Sequence, residues 1–492
     1  MFAFFALTEE EAYQLCLQEP RTVAKLLVEL LAKVEVLQNR VDELERRLKL
    51  NSSNSSKPPS TDSPFDPKTK KPSNAEGKKR KPGGQKGREG KNLKMVQEPD
   101  SIIVSSPQMC SGCGSSLVDI TPSSIASRQV FDLPVLKIEV TEHQAHTKKC
   151  PCCKAVNKGI FPIEVKAPTQ YGKRFDATIA YLSIHQMLPY ERITQVISDL
   201  FGHPVSEGTI LNALSRVETL IKPSVVTTKE SLLGSPVLHV DETGINVRGV
   251  LHWAHIALSG VAATCLLHPK RGTVAINAMD ILPNYTGIAV HDHWKPYESI
   301  GGLFEHAFCN AHHLRELTRA WEQEKQQWSQ DMFKWLLLAH KKVTQAKGKG
   351  EKSLSSRMLK YFNARYDAII QAASVYHQKN VDNPEKKRRI KQTFAKNLLD
   401  RLIKYKDGTL RFLTNFEVPF TNNAAEQGLR MMKVKEKISG CFMSREGGRI
   451  FMSIYSYILT AKKNGLNSMN ALIDAVNGNP FLPAVAVKSV TF

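Results

Sequence analysis

Two aspartates in this chain each close an apolar, strand-like run, and that placement constrains the fold more than any other feature. Asp241 follows Pro-Val-Leu-His-Val and Asp292 follows Gly-Ile-Ala-Val-His. The end of a buried strand is a costly place for a carboxylate unless a cation neutralises it. Around the two acids, strand-like runs at 237–240, 253–258, 264–267, 288–290 and 306–309 surround a helical stretch at 273–281. Three early strands, a helix and a fourth strand carrying the second acid spell an α/β sheet of ribonuclease-H-like layout.

A third acid, Glu426, lies in Thr-Asn-Asn-Ala-Ala-Glu-Gln-Gly-Leu-Arg, which reads as the opening of a helix. Three carboxylates converging on one point repel one another, and Mg²⁺ or Mn²⁺ removes that repulsion. Two such ions about 3.5–4 Å apart suit in-line attack on a phosphodiester. Glu426, Arg430, Lys433 and Lys437 share one helical stripe, as a helix laid beside a phosphate backbone requires. The competing reading is a capping box, Asn423-Ala-Ala-Glu426, in which Glu426 serves only a backbone N–H. His239 shares a strand face with Asp241, whereas His291 and His293 flank Asp292 on the other. Cys309-Asn-Ala-His312 has the spacing of a metal pair but no second pair, so strand-end packing or a DNA contact is expected there.

Between the second and third acids, residues 314–410 read as an almost wholly helical insertion. Trp321, Trp328 and Trp335, spaced by seven, mark one face of one helix packed in its own core.

The N-terminal third has a different character. Leu27, Leu30, Val34, Leu37, Val41, Leu44 and Leu48 form a heptad seam suited to self-association, or one amphipathic helix packed on its own chain. Residues 51–100 change to Asn, Ser, Pro, Gly and Lys, a composition that buries no core and is expected to be a disordered linker. Within it, the span 68–94 carries eleven Lys or Arg against two Glu. Lys79, Arg80 and Lys81 are its densest run, able to lie along phosphates by counterion release. The formal charge of +21 over 492 residues points the same way.

Residues 101–168 alternate apolar and polar and are expected to form a small β-rich module. Cys110-x-x-Cys113 and Cys150-Pro-Cys-Cys153 lie on it, 36 residues apart. Two such pairs read as a closed, structural four-thiolate zinc site, Cys152 being an alternative ligand to its neighbours. Residues 191–201, a Gly202-His203-Pro204 break and a Ser206 N-cap before a helix to 220 resemble a helix-turn-helix, presenting Thr209, Asn212 and Arg216 to DNA. Any helical hairpin reads this way. No run reaches the ~18–20 apolar residues that span a bilayer. The opening residues lack a signal-peptide pattern, and clustered cysteines suit a reducing compartment, so a cytoplasmic protein is expected.

With these residues in hand, the chain resembles the insertion-sequence-66 family of bacterial DDE transposases along nearly its whole length. The carrying motifs are Asn-Ser-Ser-Lys-Pro-Pro ending at Pro59, the paired CxxC elements, Leu-Pro-Tyr-Glu-Arg at 188–192 and His-Val-Asp-Glu-Thr at 239–243. Asn-Ala-His at 310–312 and Asn-Asn-Ala-Ala-Glu at 422–426 complete the series. Gln427 departs from the pattern, which usually has Arg after the glutamate. The resemblance implies Asp241, Asp292 and Glu426 as a catalytic triad on a ribonuclease-H-like fold. It also implies terminal inverted repeats and target DNA as partners, homo-oligomers, and small accessory proteins from the same element. The expected organisation is a coiled-coil helix at 1–50, the linker at 51–100 and the zinc module at 101–168. A DNA-binding helical region at 169–225, the catalytic domain at 226–460 and a helical tail at 461–492 follow.

Overall fold

The computed structural model describes residues 9–55, 93–379 and 392–485. The basic run Lys79, Arg80 and Lys81, and most of the expected disordered linker, lie outside them.

Helices α1 (Glu9–Gln18) and α2 (Pro20–Leu48) open the chain. Pro20 sits where its missing N–H costs nothing. No residue of α2 is buried, and Leu27, Val34 and Leu44 remain exposed along the seam. Among the described residues nothing covers the seam. Residues 51–55, expected as linker, instead form a tight turn. There the buried Asn54 donates to Lys49 O at 3.0 Å and to Glu322 at 2.9 Å.

From 93 to 170 no residue is buried. Regular structure is limited to β1 (Thr147–Lys149), antiparallel to β2 (Val156–Lys158), and one bridge between Met109 and Ser116. The expected β-rich module is thus mostly irregular. Its alternating apolar residues have no second layer to pack on, and Val135 is 95% exposed.

Helices α3 (Lys173–Ala180), α4 (Tyr190–Phe201), α5 (Glu207–Leu220) and α6 (Lys222–Gly234) precede the sheet. The expected break is present: Gly202 ends α4 at φ 64°, and Ser206 accepts from Thr209 N–H at 3.2 Å to cap α5. These helices share one buried cluster with the sheet and the C-terminal helices, Ile193, Ile210 and Val217 packing with Ile245, Ile256 and Ile454.

The five-stranded mixed sheet runs β5 (Ala263–His268), β4 (Val250–Leu258), β3 (Val237–Val247), β6 (Ile288–His291) and β7 (Glu305–Phe308). The first three strands pair antiparallel and the last two join in parallel. Strand β3 runs well past Asp241, and its two-residue hairpin uses Arg248 and Gly249, both at positive φ. That is the turn geometry whose twist matches paired strands. Helix α7 (Thr273–Met279) follows β5, and α8 (Lys295–Ser299) lies between β6 and β7. A buried cluster built on Leu238, Val240, Ala257, Tyr285 and Tyr297 backs the sheet here.

The insertion comprises α9 (Asn310–Glu324), α10 (Gln327–Lys347), α11 (Ser356–Lys379), α12 (Phe394–Lys404) and α13 (Lys406–Thr414). Its described residues are mainly helical, and their core takes in Val237, Val290 and Ala307 of the sheet. The three tryptophans, however, divide between α9 and α10, because Lys325 turns left-handed at φ 51° and ends α9. Finally α14 (Asn423–Ser439), α15 (Arg445–Lys463) and α16 (Ser468–Val476) close over the sheet. A Cβ at Gly428 would stand 2.5 Å from Ile256 Cδ1, so glycine is what lets α14 approach β4 this closely. Ala425, Leu429 and Met432 anchor α14 in the core, the two larger ones at about 1.5–3 kcal/mol each.

Candidate active site

Sheet register brings the two aspartates together. Strand β3 pairs with β6 as Val237↔Ile288, Leu238↔Ala289 and His239↔Val290. Continued by two residues, that register sets Asp241 level with Asp292 on neighbouring strands. The pairing of β6 with β7 ends at His291↔Phe308, so one further step sets Asp292 level with Cys309. Level residues of parallel strands point to the same face. Asp241 therefore lies within a long strand, not at its tip; it is β6 that stops and opens the site.

Both acids are held by short local bonds. Asp241 Oδ1 accepts from Glu242 N–H at 2.9 Å, and Asp292 Oδ1 accepts from Trp294 N–H at 3.0 Å. Burial pushes the Asp241 carboxyl well above the usual carboxylate range, with the charges of Glu242, Asp292 and Glu426 adding to it. Burial also raises Asp292, while Arg271 and Arg401 act against that rise. The mutual repulsion expected of converging acids is thus present at Asp241.

Glu426 enters from the first turn of α14. Asn422, at the N-cap, uses its side chain elsewhere: Nδ2 donates to Val240 O at 2.9 Å, and Oδ1 accepts from His239 Nδ1 at 2.9 Å. Its backbone N–H donates to Cys309 Sγ at 3.1 Å. No side chain caps α14, so the capping-box reading of Glu426 does not hold. Asn422 pins the helix start to β3 and to the end of β7, which fixes where Glu426 points. One donor atom each from Glu426, Cys309 and His312 lie within 4.8 Å of one another. The Cys309–His312 spacing thus has a third member that the sequence did not reveal.

A second buried acid was also missed. Glu242 accepts from Arg271 Nε and Nη2 at 3.0 and 2.9 Å and from the Tyr297 hydroxyl. The Arg271 guanidinium lies between the rings of Trp253 and Trp294, 4.7 and 4.1 Å from their centroids. Adjacency to Asp241 was the available signal, but its partner lies 29 residues away in a loop.

The histidines pair with one another. His291 Nε2 is 2.9 Å from His306 Nδ1, and His293 Nε2 is 2.6 Å from His313 Nε2. Burial holds His291 and His313 down at about 3 and lowers His293 further. They are neutral bridges between β6, β7 and α9.

The sequence-derived DNA contacts separate into two groups. Arg430, Lys433 and Lys437 line the exposed side of α14 as expected, though Lys433 reaches Gly244 O and Glu436. On α5, Asn212 is exposed and Thr209 bonds Ser206 Oγ at 3.0 Å. Arg216 instead makes a two-pronged ion pair with buried Asp176, at 2.7 and 2.6 Å, which ties α5 to α3. The Arg216 side chain stays half exposed while making that tie.

The two cysteine pairs form matching turns. Cys110 N–H donates to Ser115 O and Gly114 N–H to Cys110 O; Cys150 N–H donates to Ala155 O and Lys154 N–H to Cys150 O. Gly114 and Lys154 occupy equivalent left-handed positions, φ 74° and 62°. Cys113 thus corresponds to Cys153, and Cys152 to Gly112. Bonding to Ser115 and Cys110 lowers the Cys113 thiol, and bonding to Cys153 and Cys152 lowers Cys150. Such thiols suit zinc.

No helix among the described residues is long and apolar enough to cross a membrane. A family described as the zinc-finger binding domain of transposase IS66 matches residues 107–154, and a family of unknown function matches 8–94. Uncharacterized protein y4jO of Sinorhizobium fredii (strain NBRC 101917 / NGR234) is 36% identical over 92 residues, a stretch covering 18% of this chain and 29% of that protein. The description "Transposase IS66 family" matches residues 168–450, which is more than half of the sequence and takes in both aspartates, Glu426 and every strand of the five-stranded sheet. This chain belongs to the IS66 family of transposases.

Proposed function

We propose that this chain is a DNA transposase that binds the ends of an insertion sequence, cuts a phosphodiester and joins the freed 3′-OH to target DNA. One observation carries the reading: Asp241 and Asp292 stand level on neighbouring strands, and the charge of Glu426 is felt at Asp241. Hard carboxylate oxygens gathered at a buried aspartate, whose proton affinity burial and those neighbours raise, are a donor set for Mg²⁺ or Mn²⁺. Asp241 and Asp292 would hold two such ions, with Glu426 as a further ligand to one of them. The ions, when bound, supply activation of the attacking oxygen and stabilisation of the leaving one. The protein supplies position. Asn422 fixes Glu426, and Arg271, held between two indoles, limits the negative field at Asp292.

Arg430, Lys433 and Lys437 lie along the DNA backbone, joined by Lys79, Arg80 and Lys81 of the linker and by Thr209 and Asn212 of α5. Cys110, Cys113, Cys150 and Cys153 hold one structural Zn²⁺. Copies associate through α2, small proteins of the same element assist, and the protein works on DNA in the cytoplasm. The segment boundaries expected from the sequence are proposed with it.

The test is a duplex carrying the DNA that flanks this gene, incubated with protein and Mg²⁺. Joined products are expected with the native chain, and bound but uncut DNA with Asp241→Asn. Nicked DNA without joining would make it a plain nuclease. Binding without cleavage by the native chain would make it a catalytically silent regulator.

A further inference from the structure

The junction of β7 and α9 holds a second cluster of donor atoms, distinct from both the aspartate pair and the cysteine module. Cys309 is buried, follows β7 and is the N-cap residue of α9. Its sulfur receives the backbone N–H of Asn422 at 3.1 Å, while the His312 N–H donates to Cys309 O at 3.0 Å. Glu426 presents a carboxylate oxygen to the same point. His312 completes the group from the first turn of α9, and its Nδ1 is buried with no hydrogen-bond partner among the described residues.

Three donors within 4.8 Å of one another are a small rotamer adjustment from the ~3.5 Å separations around a tetrahedral ion with 2.0–2.3 Å bonds. A cation at their centre gives the three donors a common partner. Sulfur and imidazole nitrogen favour zinc-like ions over magnesium. We propose that Cys309, His312 and Glu426 bind a thiophilic divalent cation, zinc in type, at a site separate from the four cysteines of the small module. Three protein ligands leave a fourth position open. Glu426 then belongs to two environments: one face to the zinc-like ion, the other to Asp241. The ion holds the start of α14 on the end of β7, alongside the tether made by Asn422.

The test is a metal count on the full chain, and it needs neither DNA nor cleavage. Protein reconstituted with excess Zn²⁺ and then freed of unbound metal, in millimolar Mg²⁺, is expected to retain two zinc per chain by elemental analysis. Cys309→Ala and His312→Gln are each expected to retain one, and Cys113→Ser, which disables the module, likewise one. Where Cys309→Ala fails to fold by circular dichroism, His312→Gln decides. Asp241→Asn keeps both, so a failure of the transposase reading and a failure of this site are told apart. A single zinc in the native chain, or an unchanged count of two in His312→Gln, overturns the proposal.

Discussion

The sheet core and the cysteine module are both built for cations, yet they arrive at that state from opposite directions. In the core, packing comes first: three buried clusters fix the strands and helices, and sheet register then forces two aspartates to stand side by side. The fold imposes the repulsion that a cation relieves. In the module nothing is buried between 93 and 170, and order rests on two short turns that present thiols. There the cation is expected to make the fold. A metal site can thus be a strain that a stable structure tolerates or the reason a weak structure exists.

The widest separation between the two regions is expected from metal removal. Chelation, or Cys113→Ser, deprives the module of the ~10–16 kcal/mol of apparent binding free energy typical of structural zinc. Limited proteolysis should then cut within 107–154 while a fragment spanning 168–485 persists. Simultaneous loss of both would mean the core leans on the module.

The core should respond in the contrary sense. Burial and like charges push the Asp241 carboxyl well above the usual carboxylate range, so its folded pKa lies above its unfolded value. Between those two values the unfolded chain gives up a proton that the folded chain keeps, and stability falls as pH rises from about 4. Asp241→Asn is expected to raise metal-free stability at neutral pH by about 1–3 kcal/mol and to flatten that slope. Thermal melts in chelator across pH check this, and a destabilised variant would show that the carboxylate has a partner in the metal-free protein.

A smaller effect is expected at Asn422, which belongs to the core's way of building a site. Asn422→Ala loses both side-chain tethers to β3. Loss of a group that orients a metal ligand costs about 10–100-fold in activity. Cleavage assays should show that loss with DNA affinity unchanged; a fall in affinity alone would place Asn422 in binding. The smallest effect is expected in the module, where Cys152→Ser occupies the position of Gly112 and should leave zinc content and proteolysis unaltered.

The same contrast decides what could be read from sequence. Apolar runs ending in Asp241 and Asp292 announce buried strands, and the Glu426 helix opens where its composition says it should. These patterns are local. The extent of β3 was hidden because Asp-Glu-Thr-Gly interrupts its apolar run, and only pairing with β4 carries the strand onward. Glu242 with Arg271, Arg216 with Asp176, and Cys309 with Glu426 each join residues far apart in the chain, which no spacing rule reaches. The module misled in the other direction. Its alternation mimics strands, but alternation makes a sheet only when a second layer covers the apolar face.

The account rests on three acids gathering around divalent cations, and the most direct measurement is stabilisation by Mg²⁺ or Mn²⁺ in the zinc-loaded chain. Thermal melts of the native protein should rise with added ion, by about 2.7 kcal/mol at a hundredfold excess over the dissociation constant. Asp241→Asn, Asp292→Asn and Glu426→Gln should each lose most of that rise. An equal rise in all four proteins would contradict the account.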